Sequence, residues 1–154
     1  MECHQKLSTH VILTLGLFMC KDCAYQVQVH LQPMHARVKD MFGEHWDDYQ
    51  LRCVNSAPEI GGGNKSFFEF MREYKLVDET GWVEPEKRYK HEAIRYYARR
   101  LWFRVDESPF NDLPPAKSYA EKYVRVKKAM SGWFHSTEAK IGEIADRIDK
   151  EAEK

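Results

Sequence analysis

The sequence predicts a mainly helical protein of about five amphipathic helices, preceded by a β-hairpin or leader segment. Three observations predict it. Apolar residues recur at helical spacing from Val38 onward. A β-branched run and a period-two stretch are confined to residues 1–33. Clusters of Gly, Pro, Ser and Asn punctuate the rest at helix-length intervals. The expected division is residues 1–33 as hairpin or leader and 34–154 as a helical domain. A chain of 154 residues, 43% of them hydrophobic and 13% aromatic, has enough apolar mass for one core.

His10 to Cys20 is almost continuously apolar, and Tyr25 to Gln32 alternates apolar with polar. With Cys20-Lys21-Asp22-Cys23 as a turn between them, the pair reads as a hairpin closed by Pro33. The Val11–Cys20 run is too short to span a bilayer, which takes about 20 residues. Its only preceding Lys or Arg is Lys6, and no small-x-small cleavage motif follows, so a secretory signal is not expected. An Arg-rich, acid-poor mitochondrial presequence is not evident either.

From Met34 the period changes. Val38, Phe42, His45 or Trp46, Tyr49 and Cys53 share one helical face, and Asn55–Asn64 reads as a loop. Ser66 and Glu69 form an S-x-x-E pattern that predicts a helix start, with Phe67, Phe70, Met71 and Tyr74 as its buried stripe. Thr80-Gly81 ends that helix. Pro85 suits the first turn of the next, which runs to about Val105 with Tyr89, Ala93, Tyr97 and Leu101 along one side. Ser108-Pro109 and Leu113-Pro114-Pro115 bound a linker. A fourth helix carries Tyr119, Tyr123, Val126 and Met130 on one stripe and stops at Gly132. A last one starts near Ser136, with Ile141 and Ile148 on its apolar side.

Charge is balanced, with 24 Lys+Arg against 24 Asp+Glu, so net charge argues for neither nucleic acid nor an anionic membrane. Local clustering does carry information. Lys87, Arg88, Lys90, Arg95, Arg99, Arg100 and Arg104 interleave with Tyr89, Tyr96, Tyr97, Trp102 and Phe103. Lys117, Lys122, Arg125, Lys127 and Lys128 extend the basic character. Such helices suit an acidic protein surface, lipid headgroups or a phosphate backbone. No nucleic-acid module is present, so protein docking is the favoured use and nucleic acid is not expected. The alternative is a solvated face balanced by Glu84, Glu86, Glu92 and the acidic C-terminus.

The remaining motifs are incomplete. Cys20 and Cys23 form the C-x-x-C knuckle of a tetrahedral zinc site, and Cys3 with His4, His10 or His30 could supply the second pair. No second knuckle exists, so reduced thiols or a local disulfide fit as well. A thioredoxin-like motif needs a β-α-β setting and a helix start, and neither is read here. Gly61-Gly62-Gly63-Asn64-Lys65-Ser66 lies before a helix as a phosphate loop does. It has Asn64 where the Walker pattern has Gly, and no buried strand before it. No H-E-x-x-H, E-x-x-H or G-x-S-x-G occurs, and His45, His91 and His135 are isolated. No catalytic residue and no cofactor are expected.

One stretch resembles a known family. Arg72-Glu73-Tyr74-Lys75-Leu76-Val77-Asp78, Pro85 and His91-Glu92-Ala93-Ile94-Arg95 are similar to the centre of the small "binding protein" subunit of ubiquinol–cytochrome c reductase, respiratory complex III. Leu113-Pro114, Ser118-Tyr119-Ala120, Tyr123 and Arg125-Val126-Lys127-Lys128-Ala129-Met130 resemble its next segment. Residues 96–112 intervene where the family's segments nearly adjoin, and the family's C-terminal pattern is absent after Met130. The resemblance implies an all-α, cofactor-free, non-enzymatic subunit on the matrix side of the mitochondrial inner membrane. It would pack against cytochrome b and the core subunits, with lipid headgroups nearby. Arg95, Arg99, Arg100, Trp102, Arg125, Lys127 and Lys128 are then the expected docking residues. The competing expectation is a small zinc-binding protein- or nucleic-acid-interaction module built on Cys3, Cys20, Cys23 and His30.

Overall fold

A computed structural model describes residues 6–31, 36–43, 45–77 and 84–131. The chain forms two compact units, residues 1–115 and 116–154. The first is helix-rich and mixed α/β, with a small antiparallel sheet near the N-terminus.

A hairpin does form, but inside the apolar run. Strands β1 (His10–Ile12) and β2 (Leu17–Met19) pair antiparallel, joined by a turn over residues 13–16. Gly16 makes that turn with a φ of +63°, and a Cβ there would stand 2.4 Å from the Cys53 carbonyl oxygen. Glycine is required on both counts.

The expected second strand is instead helix α1 (Lys21–Leu31). Its buried side is Cys23, Ala24 and Val27, while Tyr25 and Val29 face solvent. Cys20, Cys23, Ala24 and Val27 sit at i, i+3, i+4 and i+7, the helical spacing. The period-two pattern of the same stretch overlapped it, and packing on the sheet selected the helix.

The single helix expected over Val38–Cys53 is also replaced. Strand β3 (Val38–Asp40) pairs antiparallel with β1, giving the order β2-β1-β3. The Asp40 carboxylate then accepts from the N–H groups of Phe42 and Gly43, which turns the chain. Helix α2 (Asp48–Cys53) starts at a capping box of Asp47 and Gln50. Phe42, placed on the expected apolar face, is exposed. Pairing of β1 with β3 crosses the division expected at residue 33.

Helix α3 (Gly63–Glu73) begins three residues before the Ser66–Glu69 pattern and has no side-chain cap. Phe67, Phe70, Met71 and Tyr74 are buried as the spacing predicted. The long helix expected after Pro85 is two: α4 (Pro85–Lys90) and α5 (Glu92–Val105). His91 breaks them apart with an extended ψ of 143°, and its ring nitrogen accepts from Ala93 N–H at 3.1 Å to cap α5. The stripe of Tyr89, Ala93, Tyr97 and Leu101 is buried across the break. Phe67 meets Tyr97 edge-on at 5.0 Å and stacks with Tyr89 at 6.5 Å, joining α3, α4 and α5 into one aromatic core.

In the second unit, residues 119–131 form helix α6. The expectations for Thr80-Gly81, Gly132 and the last helix from Ser136 lie outside the described residues.

Candidate functional site

The expected docking residues divide between two helices with different surroundings. On α5, Arg95, Arg99 and Trp102 are exposed, and Arg99 pairs with Asp112. Arg100 is half-buried. Its guanidinium lies 5.2 Å from the Phe70 ring, 5.5 Å from Tyr97 and 5.9 Å from Tyr96. It is an internal cation–π anchor. Arg104 donates to the Ile60 carbonyl at 3.4 Å, and burial, with the nearby Arg100 charge, lowers its pKa. These two arginines belong to the fold. They border a shallow groove of about 260 Å³ with Ser66, Glu69, Phe70 and Glu73. Two cations and two carboxylates give that groove no single charge preference.

The glycine loop is structural. Gly61 N–H donates to Ala57 C=O, Gly62 N–H to Asn55 C=O and Gly63 N–H to Gly16 C=O, at 2.7–3.0 Å. A phosphate cradle needs those groups free and convergent. A Cβ on Gly62 would reach 2.5 Å from the Cys53 carbonyl oxygen, so glycine serves close chain packing here. Asn64 has its own task. Its amide accepts from Phe18 N–H at 2.8 Å and donates to Phe18 C=O at 3.1 Å. It completes the outer edge of β2 as another strand would.

The cysteine motif has a setting that the sequence did not reveal. Strand β2 leads into Cys20, whose carbonyl accepts from Ala24 N–H, and Cys23 lies in the first turn of α1. β2 and β3 are both antiparallel to β1, hence parallel to each other, so β2-α1-β3 is a split β-α-β unit. Both cysteines are buried. The described members of the zinc set, Cys20, Cys23 and His30, do not converge on one point. Cys23 and His30 are seven residues apart on one helix, about 10 Å along its axis, whereas ligands of one zinc lie within about 4 Å of each other. Cys3 lies outside the described residues, and no three His, Cys, Asp or Glu groups converge among those described.

Helix α6 is different in kind. Its start is capped: the Ser118 hydroxyl accepts from Glu121 N–H at 3.1 Å, and the Glu121 carboxylate accepts from Lys117 N–H at 2.8 Å. Glu121 also pairs with Arg125 one turn on. The Lys117 N–H, and then Arg125, hold the Glu121 carboxyl below its ordinary pKa. The S-x-x-E pattern that caps a helix is therefore Ser118–Glu121, with the carboxylate on the Lys117 N–H one residue before the cap, and not Ser66–Glu69.

At 100° per residue, Tyr119, Tyr123, Val126 and Met130 fall within about 60° of arc. All are exposed, at 93%, 69%, 50% and 54%. Lys122 and Lys127 stand about 40° outside the stripe, one on each side. Residues 117–131 carry five basic side chains against one acidic, a net charge of +4. Arg125, Lys127 and Lys128 thus lie on a helix whose apolar face is uncovered, and the stripe itself, read only as a helical pattern, is the part of the site that sequence reasoning missed. No helix among the described residues is long and apolar enough to cross a membrane.

No protein-family model matches the chain, and no curated protein matches it.

Proposed function

We propose that this protein is a non-catalytic docking component of a membrane-bound assembly. The observation that carries the reading is α6: a capped, basic helix with the four large apolar side chains of one stripe exposed. Fully covering a Val or Met side chain is worth about 1.5–3 kcal/mol, so a partner surface that takes this stripe gains several such increments. The exposed Arg95, Arg99 and Trp102 of α5 are a second contact surface of the same chemistry.

The narrower proposal is a structural subunit of ubiquinol–cytochrome c reductase, on the matrix side of the mitochondrial inner membrane. It is supported by where the resemblance falls. The segment Ser118–Met130 lies on the uncovered helix, and Tyr74, Leu76, Ala93 and Ile94 of the other segment are core residues. The three-stranded sheet is not part of that all-α family's pattern. Blue-native electrophoresis of a gently solubilised membrane fraction tests the proposal. Co-migration with cytochrome b is expected, and it should be lost in Tyr119→Ser/Tyr123→Ser. A free monomer in a membrane-free extract contradicts it.

A further inference from the structure

We infer that the seat of α6 is an anionic lipid surface, with the helix lying flat in the headgroup layer. The inference rests on the docking reading above and names the chemistry of the partner. Three features of α6 carry it. The apolar stripe is narrow and consists of two tyrosines, a valine and a methionine, side chains that suit the boundary between headgroup and acyl chain. Lys122 and Lys127 flank it on both sides, where long stems lie along the apolar boundary and the ammonium groups reach outward to phosphates. Arg125 and Lys128 add charge on the polar face, so the complementary surface is negative.

Other occupants fit less well. A second copy would bring two segments of net charge +4 against each other. Base stacking on Tyr119 and Tyr123 would leave Val126 and Met130 uncovered. The described turns of α6, about 20 Å long, are suited to lie along a bilayer surface.

The test is co-sedimentation of the full chain with vesicles of about three parts phosphatidylcholine to one part phosphatidylserine, against phosphatidylcholine alone. Binding is expected only to the anionic vesicles, weakening as salt is raised. Lys122→Glu/Lys127→Glu should weaken it about tenfold or more. Tyr123→Ser/Val126→Ser leaves the charge unchanged and should also weaken it several-fold, because the stripe enters the boundary layer. Circular dichroism and melting of each variant confirm that fold and helix persist; Lys127→Gln, a milder change, should give a smaller loss of binding.

Absence of binding to the anionic vesicles overturns the inference. So does equal binding by the Tyr123→Ser/Val126→Ser variant, which would mean charge adsorption alone. If vesicles fail while α6-dependent co-migration with cytochrome b persists, the docking reading stands and the lipid inference falls. If vesicles bind without co-migration, the converse holds.

Discussion

Helices α5 and α6 look alike in sequence and differ in whether their apolar stripes are buried. Each interleaves aromatic with basic residues, and each has an apolar stripe at helical spacing. On α5 the stripe of Ala93, Ile94, Tyr97, Leu101 and Val105 is buried, and Arg100 is spent on three aromatic rings. On α6 the stripe of Tyr119, Tyr123, Val126 and Met130 is in water. Amphipathic spacing establishes that a helix has an apolar face. Whether the chain itself covers that face depends on the other elements, and α5 has α2, α3 and α4 against it.

This contrast can be broken from either side. The largest effect is expected at Tyr97, which is 1% exposed, donates to the Gly61 carbonyl at 2.7 Å and touches Phe67 and Phe70. Tyr97→Ala should cost about 3–5 kcal/mol in chemical denaturation.

Alkaline pH attacks the same point. Burial pushes the Tyr97 phenol up to about 12. Its folded pKa lies above the unfolded value of about 10. The unfolded chain therefore loses this proton first as pH rises. The stability is fully present below about pH 10 and is lost between about 10 and 12, on the order of 2–3 kcal/mol. Tyr97→Phe should flatten that part of the profile in a pH series of unfolding curves.

A smaller loss, about 1–3 kcal/mol, is expected for Asn64→Ala, which leaves both Phe18 backbone groups without their partner. Amide exchange at Phe18 should accelerate with it. The smallest effect belongs to α6: Tyr119→Ser/Tyr123→Ser should change stability by no more than about 0.5 kcal/mol, because those side chains are largely exposed. A melting curve checks it, and a cost as large as that of Tyr97→Ala would show that α6 belongs to a core after all.

The sequence revealed stripes better than elements. Phe67, Phe70, Met71, Tyr89, Ala93, Tyr97 and Leu101 are buried as their spacing required. The N-terminal third was misassigned for a physical reason. Tyr25, Val27, Val29 and Leu31 alternate as a strand would, yet Cys23, Ala24 and Val27 carry the helical contacts, and the small Ala24 gives little signal in a periodicity count. β3 is three residues long, too short for any period to be read, and only its pairing with β1 defines it. The Asp47–Gln50 capping box was the available sign that one long helix over residues 38–53 is wrong. Of the expected docking residues on α5, Arg95, Arg99 and Trp102 are exposed and Arg100 is half-buried against aromatic rings, a difference that side-chain type alone does not encode. The split β-α-β around Cys20 and Cys23 was invisible for the same reason as β3, since it depends on pairing between distant strands.

The central claim is that the exposed apolar stripe of α6 is a docking surface and is not part of a core. The most direct measurement is paired: blue-native migration and thermal unfolding of the full chain and of Tyr119→Ser/Tyr123→Ser, side by side. A large membrane-derived complex is expected for the native chain, a free monomer for the variant, and coincident unfolding curves. A variant that stays in the complex, or one that leaves it only because it unfolds, would contradict it.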